Sequence, residues 1–220
     1  LSSTSKTLIF DLETIPDVSL ISILPPVKVN GTLKDPVKIE ADIANKTKKQ
    51  QAEMGLEPLL NIICCAGYAD LEGKVGSIIL ENEESEKDLL TKFWEICEGY
   101  DHFVGFNSRN FDIRCLLLHS MRHGVRPSVT INASKYNKGN HTDLRPILAG
   151  EGTYAKGKLD TFAKLFLDRG KTEGIDGEDV WQYWLMGEKD FIGQYCEEDC
   201  EITRDLFIMA QKAGLIEALV

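Results

Sequence analysis

No run of about 18 apolar residues, the length a helix needs to cross a bilayer, occurs in the sequence, so no helical membrane span is expected. The opening LSSTSK lacks the apolar stretch of a secretory signal. Residues 1–6 therefore read as a loose leader, and the mature protein is expected to be cytoplasmic. Cysteines number only six, and none forms a CxxC pair or a zinc-like Cys/His spacing. Cys196 and Cys200, one helical turn apart, have the geometry to ligate a soft metal, but no second Cys/His pair completes a site. Positive charge is scarce as well. With 25 Lys and Arg against 35 Asp and Glu, the net charge is −10, which argues against non-specific nucleic-acid binding over the whole surface. The GKT of DRGKTEG lacks the earlier glycine of a phosphate loop, with Leu165 in its place, and reads as a turn.

What is present is one ordinary globular core, 43% hydrophobic over 220 residues. A single domain over 1–220 is expected, with an insertion at 19–60 that is turn-rich and then polar and helical up to Gly55. Charge is uneven along it: residues 109–158 hold nine Lys/Arg and three Asp/Glu, an excess of +6 that leaves −16 for the rest. Such a basic segment suits either a groove that guides a phosphate chain or a merely solvated loop.

The elements alternate in the manner of an α/β layer fold. TLIFDLETIPD (7–17) reads as a buried strand ended by Pro16. NIICCAGYA (61–69) and KVGSIIL (74–80), joined by DLEGK, read as a hairpin. A helix beginning with a Ser85…Asp88 capping pattern follows, then a short strand HFVGF (102–106) and a helix over 110–124 stopped by Gly124. The remainder is helical around Leu159–Leu167, around Glu178–Met186, and from Glu188 to about Lys212.

Carboxylates stand where apolar residues belong. Strand alternation puts Asp11 and Glu13 on one face, where two anions repel and lose hydration unless a cation sits between them. In the last helix Ile192, Tyr195, Asp199, Ile202, Leu206 and Met209 form one stripe that should face the core, with Asp199 in it. Asp112 falls in the first turn of a helix after a buried strand, a place where active-site groups of α/β folds collect. Taken alone, Asp112 is better explained by the preference of a carboxylate for a helix N-terminus. Together the four acids form a set of hard oxygen ligands suited to Mg²⁺ or Mn²⁺.

FDLET, FNSRNFD and YCEED match in order the three exonuclease motifs of the DnaQ-like superfamily with its Asp-Glu-Asp-Asp signature. KLDTFAKLFLDRGKTEGIDGEDVWQYW resembles the stretch between the second and third motifs in the group related to the exonuclease domain of family-B DNA polymerases. The resemblance spans roughly residues 7 to 212. Gln194 stands where one form of the third motif has His, and Tyr195 stands where the other has Tyr, so the chain is similar to the tyrosine form.

The resemblance implies an RNase H-like fold, a central mixed sheet with helices on both faces. It implies a 3′→5′ exonuclease that releases nucleoside 5′-monophosphates from single-stranded DNA with two Mg²⁺ or Mn²⁺ ions. Asp11, Glu13, Asp112 and Asp199 would hold the ions, and Tyr195 would orient the attacking water. Thr14 and Ile15 would touch the terminal nucleotide, Ile15 by wedging against its base. Asn107 and Phe111 would hold the next sugar and base, although capping of the following helix is a strong alternative for Asn107 and core packing is the commoner use of a Phe such as Phe111. His141 and Asp143 of HTDL suit either support of the site or the fold alone. The implied partners are a 3′ end of single-stranded DNA and a DNA polymerase or other replication or repair protein, with no membrane. An RNA exonuclease shares every motif; a non-catalytic polymerase-accessory module and an RNase H-type endonuclease are disfavoured by the full set of acids and by Tyr195.

Overall fold

The first apolar run forms β1 (Thr7–Pro16), the middle strand of a five-stranded sheet ordered β3-β2-β1-β4-β5. The computed structural model describes residues 6–82, 85–132, 134, 139–150, 156–170, 177 and 179–216. β2 (Asn61–Asp70) and β3 (Val75–Ile79) continue from β1 as antiparallel neighbours. β4 (His102–Gly105) and β5 (His141–Asp143) lie parallel on its other side. Between β1 and β2 the chain leaves the sheet for a 3₁₀ turn (Val18–Ile23) and α1 (Pro36–Met54), the polar helix expected there.

Side-chain alternation divides the core in two. Leu8, Phe10 and Leu12 of β1 pack with Leu89, Leu90, Phe93 and Trp94 of α2 (Glu86–Cys97) and with Ile113 and Leu116 of α3 (Asp112–His123). Ile9 points the other way, with Leu144 of α4 (Leu144–Ala149), Phe162 of α5 (Leu159–Phe166) and Ile202, Leu206 and Phe207 of α7 (Lys189–Lys212). Each of these fully buried apolar side chains contributes roughly 1.5–3 kcal/mol over exposure. A seventh helix, α6 (Val180–Met186), brings Val180 to the first cluster. The mixed sheet with helices on both faces is the expected architecture.

Local details differ from expectation in three places. Ser85 stands at the N-cap of α2 without a capping bond; its hydroxyl donates instead to the carbonyl of Asn82 (2.7 Å). Met209 leaves the α7 stripe at 40% exposure, because that helix turns a second row, Cys196, Cys200, Thr203, Phe207 and Ala210, into the core. β5 and α4 arise from HTDLRPILA, too short and polar to announce themselves by periodicity. Lys171 and Thr172 of the GKT turn, and Glu178, fall outside the described residues.

α7 lies close against the sheet where glycines leave room, Gly193 against β3 and Gly67 on β2. Gly67 of β2 lies opposite Asp11, and a Cβ built there would come within 2.8 Å of the Cys196 carbonyl oxygen and of its sulfur. Backbone cannot yield as a flexible side chain can. Gly67→Ala is expected to lower stability by about 1–3 kcal/mol in denaturant unfolding, the cost of overpacking, by lifting α7 from the strand.

Candidate active site

Alternation places Asp11 and Glu13 on the α7 side of β1, as the strand reading requires. Glu13 is buried and Asp11 half-buried. A carboxylate oxygen of each lies with the sulfur of Cys196 in a group whose atoms are all within 4.8 Å of one another. The Cys196 thiol points toward the Asp11 carbonyl oxygen (3.5 Å) and Oδ2 (3.9 Å). Burial first, then Cys65 and the Asp11 charge, push this thiol well above its ordinary pKa, so it stays protonated and acts as a weak donor. Cys200 is likewise buried, and burial with the nearby charges of Asp11 and Asp199 pushes its thiol up as well.

The third acid arrives from the opposite edge of β1. β4 pairs with Thr7–Ile9 and stops at Gly105, so among the described residues the second half of β1 has no strand on that side. The chain folds back over this open edge and starts α3 with Asp112, whose Oδ1 accepts the Leu12 N–H (3.0 Å). Asp112 is thereby pinned between Asp11 and Glu13 in the chain. Burial raises its pKa to about 7, helped by the charges of Asp143 and Asp199 and opposed by backbone N–H donors. Asp199 and Tyr195 complete the group from α7, one turn apart and both buried. All five side chains line a single cavity of about 370 Å³.

The loop carrying Asp112 is braced from β5. Asp143 accepts N–H bonds from Asn107 (2.8 Å), Arg109 (3.1 Å) and Arg145 (3.1 Å), and His141 Nε2 meets the Ser108 hydroxyl at 2.9 Å. Burial, with the Arg109 charge, pushes the His141 pKa down to about 3, so its ring is neutral. These two residues hold the loop in shape. Asn107 takes a left-handed backbone (φ 65°), which Asn tolerates better than most residues. It does not cap α3, where Phe111 stands at the N-cap.

Among the expected substrate contacts, Thr14, Asn107 and Phe111 line the cavity, and Phe111 also packs against the core. Ile15 does not. The register slips between Glu13 and Thr14, where β2 bulges at Cys64, and alternation is lost. Ile15 then joins Leu8, Phe10 and Leu12 in the core at 0% exposure, out of reach of any base. The cavity also gathers Leu56, Phe106, Arg145 and Lys158. Arg145 and Lys158 belong to the basic segment 109–158, a signal visible in the sequence, whereas nothing in the sequence marks Leu56.

Four carboxylates gathered from within β1, the start of α3 and the middle of α7 are hard oxygen donors, and burial, with the nearby Asp143 and Asp199 charges, raises the proton affinity of Asp112 among them. That donor set fits a hard divalent cation.

Residues 56–214 match the family described as a predicted 3′-5′ exonuclease related to the exonuclease domain of PolB. The chain is 26% identical over 217 residues to DNA polymerase 1 of Sulfurisphaera ohwakuensis, covering 90% of this chain and 23% of that protein. It is 27% identical over 211 residues to DNA polymerase 1 of Sulfolobus acidocaldarius, covering 89% and 23%. In structure it resembles the family B DNA polymerase of the hyperthermophilic archaeon Pyrobaculum calidifontis, with a TM-score of 0.64 and 18% identity over 96% of this chain and 25% of that one. The shared architecture is the RNase H-like α/β fold. The chain spans about a quarter of the length of the polymerases it matches.

Proposed function

The chain belongs to the family of predicted 3′-5′ exonucleases related to the exonuclease domain of PolB, and from that premise we propose that it hydrolyses the 3′-terminal phosphodiester of single-stranded DNA, releasing nucleoside 5′-monophosphates. The observation that carries this reading is the meeting of Asp11, Glu13, Asp112, Asp199 and Tyr195 in one cavity, from three elements far apart in sequence. A protein without chemistry has no reason to bear the cost of burying these acids together.

Asp11, Glu13, Asp112 and Asp199 would hold two Mg²⁺ or Mn²⁺ ions. Bound there, the cations would polarise the phosphate, ease deprotonation of water and balance charge on the leaving 3′-oxygen. The chain's own groups do the positioning. Tyr195, one turn before Asp199, offers a hydroxyl to orient the attacking water in line with the scissile bond. A phenol in water loses its proton only near about pH 10, so without help from a bound cation the hydroxyl is a poor base. Thr14, Asn107 and Phe111 frame the nucleotides, and Arg145 and Lys158 supply positive charge for the phosphates on the same cavity wall system. Residues 7–212 act as one exonuclease unit, working beside a DNA polymerase or another replication or repair protein.

The test is 5′-labelled single-stranded DNA and RNA incubated with the protein and Mg²⁺ or Mn²⁺. A ladder shortening from the 3′ end, abolished by EDTA, supports the reading. Internal cuts overturn it, and the DNA-to-RNA ratio decides the substrate. Tyr195→Phe is expected to slow DNA shortening roughly 10²–10⁴-fold if the hydroxyl takes part in proton handling, and less if it only places the water.

A further inference from the structure

The excursion between β1 and β2 leaves and rejoins the sheet at one point. The Asp17 N–H bonds the Leu60 carbonyl (2.9 Å), directly beside the Pro16–Asn61 pair that closes the ladder. Its exit turn, residues 55–60, is tied down unusually well for a surface segment. The Gly55 carbonyl accepts both Thr14 Oγ1 (2.6 Å) and Asn61 Nδ2 (3.0 Å). The Pro58 carbonyl meets His119 Nε2 (3.0 Å), while Nδ1 of the same ring meets Glu86 Oε1 (2.6 Å). At the entrance, Arg122 donates to Asp17 Oδ2 (2.6 Å).

Arg122 and His119 both belong to α3, the helix that begins with Asp112. One rigid element thus carries an acid of the cavity at its N-terminus and grips both ends of the excursion further along. The position of the turn relative to the acids is fixed by that helix. What the turn presents to the cavity is Leu56, 52% exposed, in a lining that holds the acids together with Phe106 and Phe111. A rigidly held apolar side chain facing open space in a binding cavity calls for an apolar surface to cover it, and the π-face of a nucleobase is one that every nucleotide offers.

We propose that the segment 17–60 is a substrate-positioning element whose exit turn sets Leu56 against the base of the 3′-terminal nucleotide. This rests on the exonuclease reading above. It assigns to Leu56 the base contact that burial denies to Ile15, and contact through a π-face predicts little discrimination among the four bases.

The experiment crosses the variant with the substrate. Steady-state kinetics are measured for the wild type and Leu56→Ala on single-stranded DNA with a normal or an abasic 3′-terminal nucleotide. For the wild type, removing the base is expected to raise KM roughly five- to tenfold, the value of a partly buried leucine side chain. Leu56→Ala should raise KM on normal DNA by a similar factor, keep kcat within about twofold and be indifferent to the missing base, with Leu56→Met restoring the wild-type pattern. Leu56 is half in water, so the variant keeps its fold. Equal abasic penalties in wild type and Leu56→Ala, or an unchanged KM in the variant, overturn the assignment of Leu56 while leaving the exonuclease intact. If the wild type shortens no 3′ end, the exonuclease reading itself falls, and this assignment with it.

Discussion

Asp11→Ala is expected to reduce shortening of 5′-labelled single-stranded DNA by on the order of 10³-fold or more, with no loss of thermal stability in the absence of metal. The first half follows from position. Asp11 lies on the central strand, opposite Gly67 and beneath α7, in the group that also holds Glu13, and its charge reaches Cys196 and Cys200 of that helix. It is one of the four acids proposed to hold the ions. The second half follows from electrostatics. Removing one carboxylate from a crowd of like charges relieves repulsion, and Asp11 is only half-buried, so the cavity left behind is small. The two halves together separate chemistry from folding. In a thermal melt, added Mn²⁺ should raise the midpoint of the wild type by mass action and have little effect on the variant. Full activity in the variant, or an equal metal-induced shift, would contradict the proposed role.

Glu86→Gln should cost about 3–5 kcal/mol of unfolding free energy, the usual penalty for breaking a buried ion pair from one side. Glu86 is 1% exposed at the start of α2, and its carboxylate ties that helix to both β2 and α3. Oε1 accepts the Ile63 N–H (2.7 Å) and faces His119 Nδ1 (2.6 Å), and Oε2 faces His123 Nε2 (2.6 Å). Burial alone would raise its pKa, but hydrogen bonding and charge from His119, with the Ile63 N–H and His123, prevail and hold it below the ordinary value of 4.5. A depressed folded-state pKa stabilises the protein above the unfolded value, and that stabilisation is lost as pH falls through the folded value. The wild type should therefore lose stability below about pH 4.5, whereas Glu86→Gln should lack that share of the acid slope. Urea unfolding at pH 7 and across the acid range measures both effects. A loss under about 1 kcal/mol at pH 7 would mean that the cluster is not the rivet it resembles.

Some of this molecule was legible from short-range pattern. Period-two alternation put Asp11 and Glu13 on one face of β1, and helical spacing put Tyr195 and Asp199 on one face of α7, because each pattern depends only on neighbours in the chain. The hairpin of β2 and β3, the stop of α3 at Gly124 and the polar helix before Gly55 followed in the same way. Other features were hidden because they depend on partners far away in sequence. Ser85 reads as a cap, but its hydroxyl turns back to Asn82. Asp143 reads as one polar residue among many, yet it holds three backbone N–H groups of the loop and helix around it.

By itself the sequence determined the layer architecture, and that Asp11 shares a face with Glu13 and Tyr195 with Asp199, since local periodicity dictates which side chains share a face. Tertiary structure alone decided how they are used. It brought Asp112 to the Leu12 N–H across 100 residues, buried Ile15 through a bulge in the neighbouring strand, and swung Leu56 into the cavity from an excursion with no periodic signal. The reason is physical: a ladder slip, an open strand edge and a riveted turn are properties of pairs of segments, and no single segment encodes them.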